Sequence, residues 1–210
     1  MSTASRSGRD EQRDSIRSFV SIEIPEPIRE RIGALGQSLK RAGGQASWVK
    51  PANIHLTLKF LGDVARARID AAKAGLERAA AGVHPIEIEV GGAGCFPSPR
   101  NPRVLWVGLA SLPAELIRLH KRIEDELARE GFLKEQSRFS PHLTIARLRS
   151  PANSAELAES LIARGFANEQ FTASRIILMQ SQLSAGGSIY TPLAAIDLPG
   201  DAPADDRLQS

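Results

Sequence analysis

The sequence predicts a mixed helix-and-strand fold in which one strand–helix–strand–helix–strand unit is written twice. Three observations predict it. Alternating apolar segments are interleaved with amphipathic, helix-period segments along most of the chain. The order of those segments repeats at a spacing of 86 or 87 positions. The tetrapeptide His-x-Thr-x occurs once in each copy, as His55-Leu56-Thr57-Leu58 and His142-Leu143-Thr144-Ile145, and takes two of the four histidines in the chain.

The elements follow in order. Residues 17–24, RSFVSIEI, alternate and read as a strand. Pro25 and Pro27 punctuate the entry to a helix over about 27–41, which Gly43-Gly44 ends. Residues 53–61, NIHLTLKFL, read as a second strand closed by Gly62-Asp63. Residues 66–81 are rich in alanine and charge and read as a helix; residues 85–91, PIEIEVG, alternate as a third strand. In the second copy Arg103 opens the strand RVLWVGL, 113–130 is a strongly amphipathic helix and 142–148 carries the second tetrapeptide. A helix over 153–164 and a strand over 169–179 complete it, and 188–197 adds one more strand. Each unit has too few strands to bury its own sheet, so the two should share structure about a pseudo-two-fold axis. The pattern alone leaves parallel and antiparallel pairing open. Residues 1–15 and 200–210 are polar, aperiodic ends expected to be disordered, leaving one domain over 16–199 with repeat units at about 17–96 and 103–197.

Composition narrows the class. The chain has 210 residues, 42% hydrophobic and 24% charged, an ordinary globular balance. No apolar run approaches the roughly 20 residues of a membrane span, and the N-terminal stretch has no signal-peptide core, so the expectation is a cytoplasmic protein with no membrane partner. The single cysteine, Cys95, excludes an intrachain disulfide and a multi-cysteine zinc site, and reads as a buried thiol. A net charge of +3 permits a polyanionic ligand without demanding one.

Strand alternation puts His55, Thr57 and Lys59 on one face and Ile54, Leu56, Leu58 and Phe60 on the other. His142 and Thr144 share a face in the second copy, with Leu143 and Ile145 turned to the core. A pseudo-two-fold axis would bring two imidazoles and two hydroxyls around one cleft. One His-x-Thr on a strand is common and carries little weight. Two, in register with a repeat, need a reason, because a buried polar group without a partner is costly. The set suits phosphodiester chemistry without a metal. A neutral imidazole takes a proton from the nucleophile and an imidazolium gives one to the leaving oxygen. The threonine hydroxyls donate to the non-bridging oxygens as charge develops. There is no HExxH, and carboxylates are sparse beside the motifs, so the sequence offers no tight metal site.

Trp48-Val49 with Pro51 and Asn53, HLTLKFLG at 55–62, FPSPRNPRVLWVGL at 96–109 and RFSPHLTIAR at 138–147 resemble the two-histidine phosphoesterases. Within them they are most similar to the RNA 2′,3′-cyclic phosphodiesterases, formerly described as 2′–5′ RNA ligases. The resemblance runs from about Arg17 to Leu198. It implies a bilobal α+β fold with mostly antiparallel sheets around a central cleft. It implies hydrolysis of RNA 2′,3′-cyclic phosphate ends to 2′-phosphomonoesters with no cofactor, His55 as proton donor and His142 as proton acceptor. Thr57, Thr144 and Arg147 match the family's phosphate-binding positions. For Arg147 strand parity objects: five residues from His142, simple alternation sends it to the core side unless a bulge turns it back. The partners implied are RNA ends, tRNA fragments among them, or a small cyclic nucleotide, on a monomeric protein. The alternatives are 2′–5′ ligation, with a ribose hydroxyl replacing water, and a binding module without turnover.

The remaining candidates are weaker. Lys59 has the parity to attract phosphate in the cleft, against a solvated strand position. Phe19 could stack on a base, but a core position suits it better. Trp48 and Trp106 read as packing residues, with Trp48 near the cleft rim. His84 and His120 read as structural or surface residues. Arg100, Arg103 and Arg138 would form a basic rim.

Overall fold

The structure, a computed structural model, describes residues 14–41, 46–149, 154–185 and 187–200. In chain order the elements are β1 (Ser15–Glu23), α1 (Glu26–Arg41), β2 (Ala46–Trp48), a short 3-10 turn (Pro51–Asn53) and β3 (His55–Ala65). A second 3-10 turn (Arg66–Arg68), α2 (Ile69–Ala80), β4 (Ile86–Phe96), β5 (Val104–Leu109) and α3 (Ala114–Arg129) follow. The chain then runs through β6 (Leu143–Leu148), α4 (Ser154–Arg164), β7 (Glu169–Ala173), β8 (Arg175–Ser184) and β9 (Gly187–Asp197).

Two sheets form, ordered β3-β1-β8-β9 and β2-β6-β5-β4-β7. All their pairings are antiparallel. The third strand of each unit joins the other unit's sheet: β4 lies beside β5, and β8 beside β1. The helices exchange too. α3 packs against β3 and α2, while α1 packs against β6 and α4. Each lobe therefore holds parts of both copies, which answers the shortage of strands in a single unit. α3 shows the cause locally: Leu116, Leu119, Ile123 and Leu127 fall at helical spacing and are buried as one stripe.

Three elements depart from the expectation. The stretch read as one strand over 169–179 divides at Ser174 into β7 and β8, which enter different sheets. β4 continues past 91 to Phe96 through Gly92 and Gly94. Gly94 is required there, because a Cβ would stand 2.4 Å from the Trp106 indole laid across it. β2 is an additional short strand that pairs with β6. The Gly43-Gly44 helix stop and the ends at 1–13 and 201–210 lie outside the described residues. Ser15 already pairs with Ala65, and the Gly200 N–H donates to the Val83 carbonyl at 2.9 Å. Among the described residues no helix is long and apolar enough to cross a membrane.

Candidate active site

The two tetrapeptides occupy matching places. β3 runs beside β1 in one sheet and β6 beside β5 in the other, and β3 and β6 approach each other across the lobes. Leu56, Leu58, Leu143 and Ile145 are all buried in the core. His55, Thr57, His142 and Thr144 are half-buried on the opposite faces, as alternation predicts.

Both imidazoles are held in the same way. His55 Nδ1 lies 2.8 Å from the carbonyl of Asn53, and His142 Nδ1 lies 2.8 Å from the carbonyl of Ser140. A carbonyl only accepts, so each ring carries a proton on Nδ1, which leaves Nε2 as its second titrating position. Burial pushes both histidines below their ordinary value, against the raising effect of these carbonyls. The Arg147 charge lowers both further, and the His142 charge also lowers His55. One guanidinium is therefore felt by both imidazoles.

Arg147 reaches this face through a bulge. Trp106 stands opposite Thr144, and the next residue back, Leu105, stands opposite Ala146, leaving Ile145 as an extra residue. Ile145 and Ala146 are both buried, and Arg147 emerges exposed on the His142 side. No carboxylate pairs with it among the described residues.

The same device corrects the expectation for Lys59. Ser21 stands opposite Thr57 and Val20 opposite Lys59, so Leu58 is the extra residue. The bulge sends Lys59 into the core, 1% exposed, rather than to the cleft. Its Nζ donates to both carboxylate oxygens of Glu124 and to the Leu133 carbonyl, each at 2.8 Å. Phe60, expected on the core side, is turned outward and is 58% exposed.

Phe19 is 3% exposed and so closed to a base. It stacks on the His55 ring instead, with centroids 4.7 Å apart. Trp48 lies on the core side of β2 against Gly36 and not on the rim. His120 stacks on Phe139 at 3.9 Å, and Cys95 is a buried free thiol whose pKa burial raises. Arg100, Arg103 and Arg138 are exposed, and the Arg103 carbonyl accepts the Leu148 N–H at 2.9 Å. Among the described residues no group of three or more His, Cys, Asp and Glu side chains could hold a metal.

Three aromatic neighbours were not anticipated. Tyr190 meets the His55 ring edge-on at 5.2 Å, and Phe96 meets His142 edge-on at 5.0 Å. Trp106, read as packing, lies 6.5 Å from His142. Alternation in 188–197 could have flagged Tyr190. The other two depend on the register of β4 and β5, which no local pattern contains.

Comparison with known proteins gives a consistent picture. The model of the 2′-5′ RNA ligase superfamily matches residues 24–184. A Methanothermobacter thermautotrophicus protein named RNA 2′,3′-cyclic phosphodiesterase is 32% identical over 184 residues, spanning 87% of this chain and 99% of the relative. An Aeropyrum pernix protein of the same name is 35% identical over 164 residues, spanning 78% of this chain and 92% of the relative. Escherichia coli LigT complexed with 3′-AMP superposes with a TM-score of 0.71 at 26% identity, over 88% of this chain and 99% of LigT.

Proposed function

The chain belongs to the 2′-5′ RNA ligase superfamily, and on that premise we propose that it hydrolyses RNA 2′,3′-cyclic phosphate ends to 2′-phosphomonoesters. The observation that carries this reading is the matched pair of imidazoles, each with Nδ1 on its own backbone carbonyl and Nε2 left to work, under the charge of one arginine.

In the proposed step His142 Nε2 takes a proton from water as the water oxygen bonds to phosphorus. The P–O3′ bond breaks, and His55 Nε2 gives its proton to the departing 3′ oxygen. Water and a cyclic diester become a 2′-monoester and a 3′-hydroxyl, and the two imidazoles exchange protonation states. Thr57 and Thr144 donate to the non-bridging oxygens, and the Arg147 fork receives charge as the phosphorane forms. A phosphate anion between the rings raises their pKa values and so offsets the lowering by burial and Arg147. The carbonyl anchors resemble the orienting partner of other catalytic histidines: they fix tautomer and ring plane.

The reading extends to a monomeric, cytoplasmic enzyme whose substrates include tRNA fragments. A monomer is supported because one chain supplies both halves of the site. The test is a short RNA ending in a 2′,3′-cyclic phosphate, incubated in EDTA and followed by its phosphorus resonance. Wild type should convert the cyclic signal to a 2′-monophosphate. His55→Ala and His142→Ala should each lose about 10²–10⁴ in rate. Undiminished turnover in either variant refutes the assignment.

A further inference from the structure

In the proposed reading the cleft holds one phosphate beside Arg147, and a second arginine, Arg149, follows just past the end of β6. After the bulge, Ala146 and Leu148 turn to the core, and Arg147 and Arg149 follow on the other face. Ser47 of β2 stands opposite Arg147 in register and shares that face. Arg149 is exposed, and its Nε donates to the Ser47 Oγ at 2.7 Å. No carboxylate pairs with Arg149 among the described residues. This contrasts with other exposed arginines such as Arg78, Arg118 and Arg129, which are tied to glutamates. With Nε engaged by serine, the two terminal nitrogens form a free fork, the geometry that suits a phosphate. Arg149 follows Arg147 by two residues, a backbone rise of about 7 Å, and its Nε is drawn one strand sideways to Ser47, about 5 Å from β6. That is the scale of one step along a nucleic acid backbone rather than of a single reacting group.

We propose that Arg149, anchored on Ser47, is a subsite for the phosphate on the 5′ side of the terminal nucleotide. This deepens the hydrolase reading and rests on it. It makes the chain a reader of RNA ends, favouring a cyclic phosphate that has a second phosphate one nucleoside away over a bare nucleoside cyclic phosphate. A 5′-monophosphate and an internucleotide phosphodiester offer the same charge at that place, so both should be recognised.

Three substrates separate the cases: cytidine 2′,3′-cyclic phosphate, the same molecule with a 5′-phosphate, and a trinucleotide with the same cyclic end. In wild type the last two should exceed the first in kcat/KM by about tenfold, the size of one charge-assisted pair. Arg149→Gln should abolish that advantage, and Arg149→Lys should restore part of it. Raising salt from about 50 to 200 mM should cost wild type about two- to threefold more on the trinucleotide than Arg149→Gln, as expected for one phosphate contact on a single strand. A gain for the trinucleotide and not for the 5′-phosphorylated monomer assigns the fork to the phosphodiester. Substrate ratios identical in wild type and Arg149→Gln overturn the subsite while the hydrolase reading stands. Failure of wild type to turn over any of the three overturns the hydrolase reading and the subsite with it.

Discussion

Removing the Lys59 ammonium should unfold more of this protein than any surface substitution. The reason is the pair it leaves behind. The Lys59 side chain is 1% exposed and that of Glu124 10% exposed. Three acceptors converge on one nitrogen at 2.8 Å, and Glu124 also receives the Glu135 N–H at 3.2 Å. Lys59→Met keeps the stem and deletes the charge. It leaves a buried carboxylate with one weak donor and the His120 Nε2 at 3.8 Å, and an orphaned Leu133 carbonyl. Breaking a buried pair from one side costs about 3–5 kcal/mol. In a domain of this size that is a fall in Tm of roughly 6–20 °C. The double variant Lys59→Met/Glu124→Leu removes both charges and fills the space with apolar atoms, so it should return to within about 1 kcal/mol of wild type or exceed it. Urea unfolding of the four proteins closes the double-mutant cycle. A loss below about 1 kcal/mol in the single variant, or a double variant equal to the sum of the two singles, refutes the reasoning. The same cycle tests the placement of Lys59 away from the cleft. A double variant that is fully stable but inactive on a cyclic phosphate would put Lys59 in the chemistry after all.

Arg147→Gln should move the pH–rate profile upward. Its charge lowers both histidines, so deleting it lets both rise and shifts the optimum of kcat/KM toward the unperturbed value of about 6.5. A loss of about 10²–10³ in kcat should accompany the shift, and an unmoved or acid-shifted profile would count against the geometry. Stability should fall on the acid side of neutrality. His55, His120 and His142 all sit below their ordinary value because of burial. The unfolded chain therefore takes up protons first as the pH drops, and stability present above about 6.5 is lost through the window between the unfolded and the lowered folded values. His120 Nε2 is buried without a hydrogen-bond partner beside Phe139, 3.8 Å from Glu124 Oε1, whose charge offsets only part of the lowering by burial, so His120→Phe should flatten the dependence of Tm on pH between about 7 and 5. An unchanged slope would remove His120 from the account.

The parts of the fold that could be read from the sequence are those with a local cause. Alternation located His55 and Thr57 on one face and Leu56 and Leu58 on the other, because side-chain direction in a strand depends only on neighbours. The stripe on α3 was legible for the same reason. Bulges are different. The extra residue at Leu58 or Ile145 is defined by what stands across the ladder, at Val20 and Ser21 or at Leu105 and Trp106. Parity counted along one strand therefore assigned Lys59 to the cleft and objected to Arg147, and one displacement reverses both. The strand exchange was hidden likewise. Nothing between 169 and 179 marks that the chain leaves one sheet for the other at Ser174. Tyr190, Phe96 and Trp106 reach the imidazoles through that long-range pairing.

The two bulges also bear on how a duplicated site can do asymmetric work. General acid and general base must begin in opposite protonation states, while the repeat supplies the same histidine, the same threonine and the same carbonyl anchor twice. Three residues past each threonine the copies differ: Arg147 in one, Phe60 in the other. Equivalent bulges turn both outward, so the lobes present a cation at one place and an aromatic ring at its counterpart. The packing differs as well. His55 is stacked on Phe19 and edged by Tyr190, while His142 meets Phe96 edge-on and Trp106 at a tilt. His55 lies in the more apolar setting and feels two positive neighbours, His142 only one. These surroundings disfavour protonation of His55 more than of His142, the reverse of what the proposed donor and acceptor roles need, so the ring environments alone do not divide the roles. In the proposed step an anion held beside Arg147 would fix the phosphorus relative to both rings. The proton inventory then follows from which ring faces the attacking water and which faces the leaving oxygen, a choice made by the substrate's orientation in an asymmetric cleft rather than by the repeated motif itself.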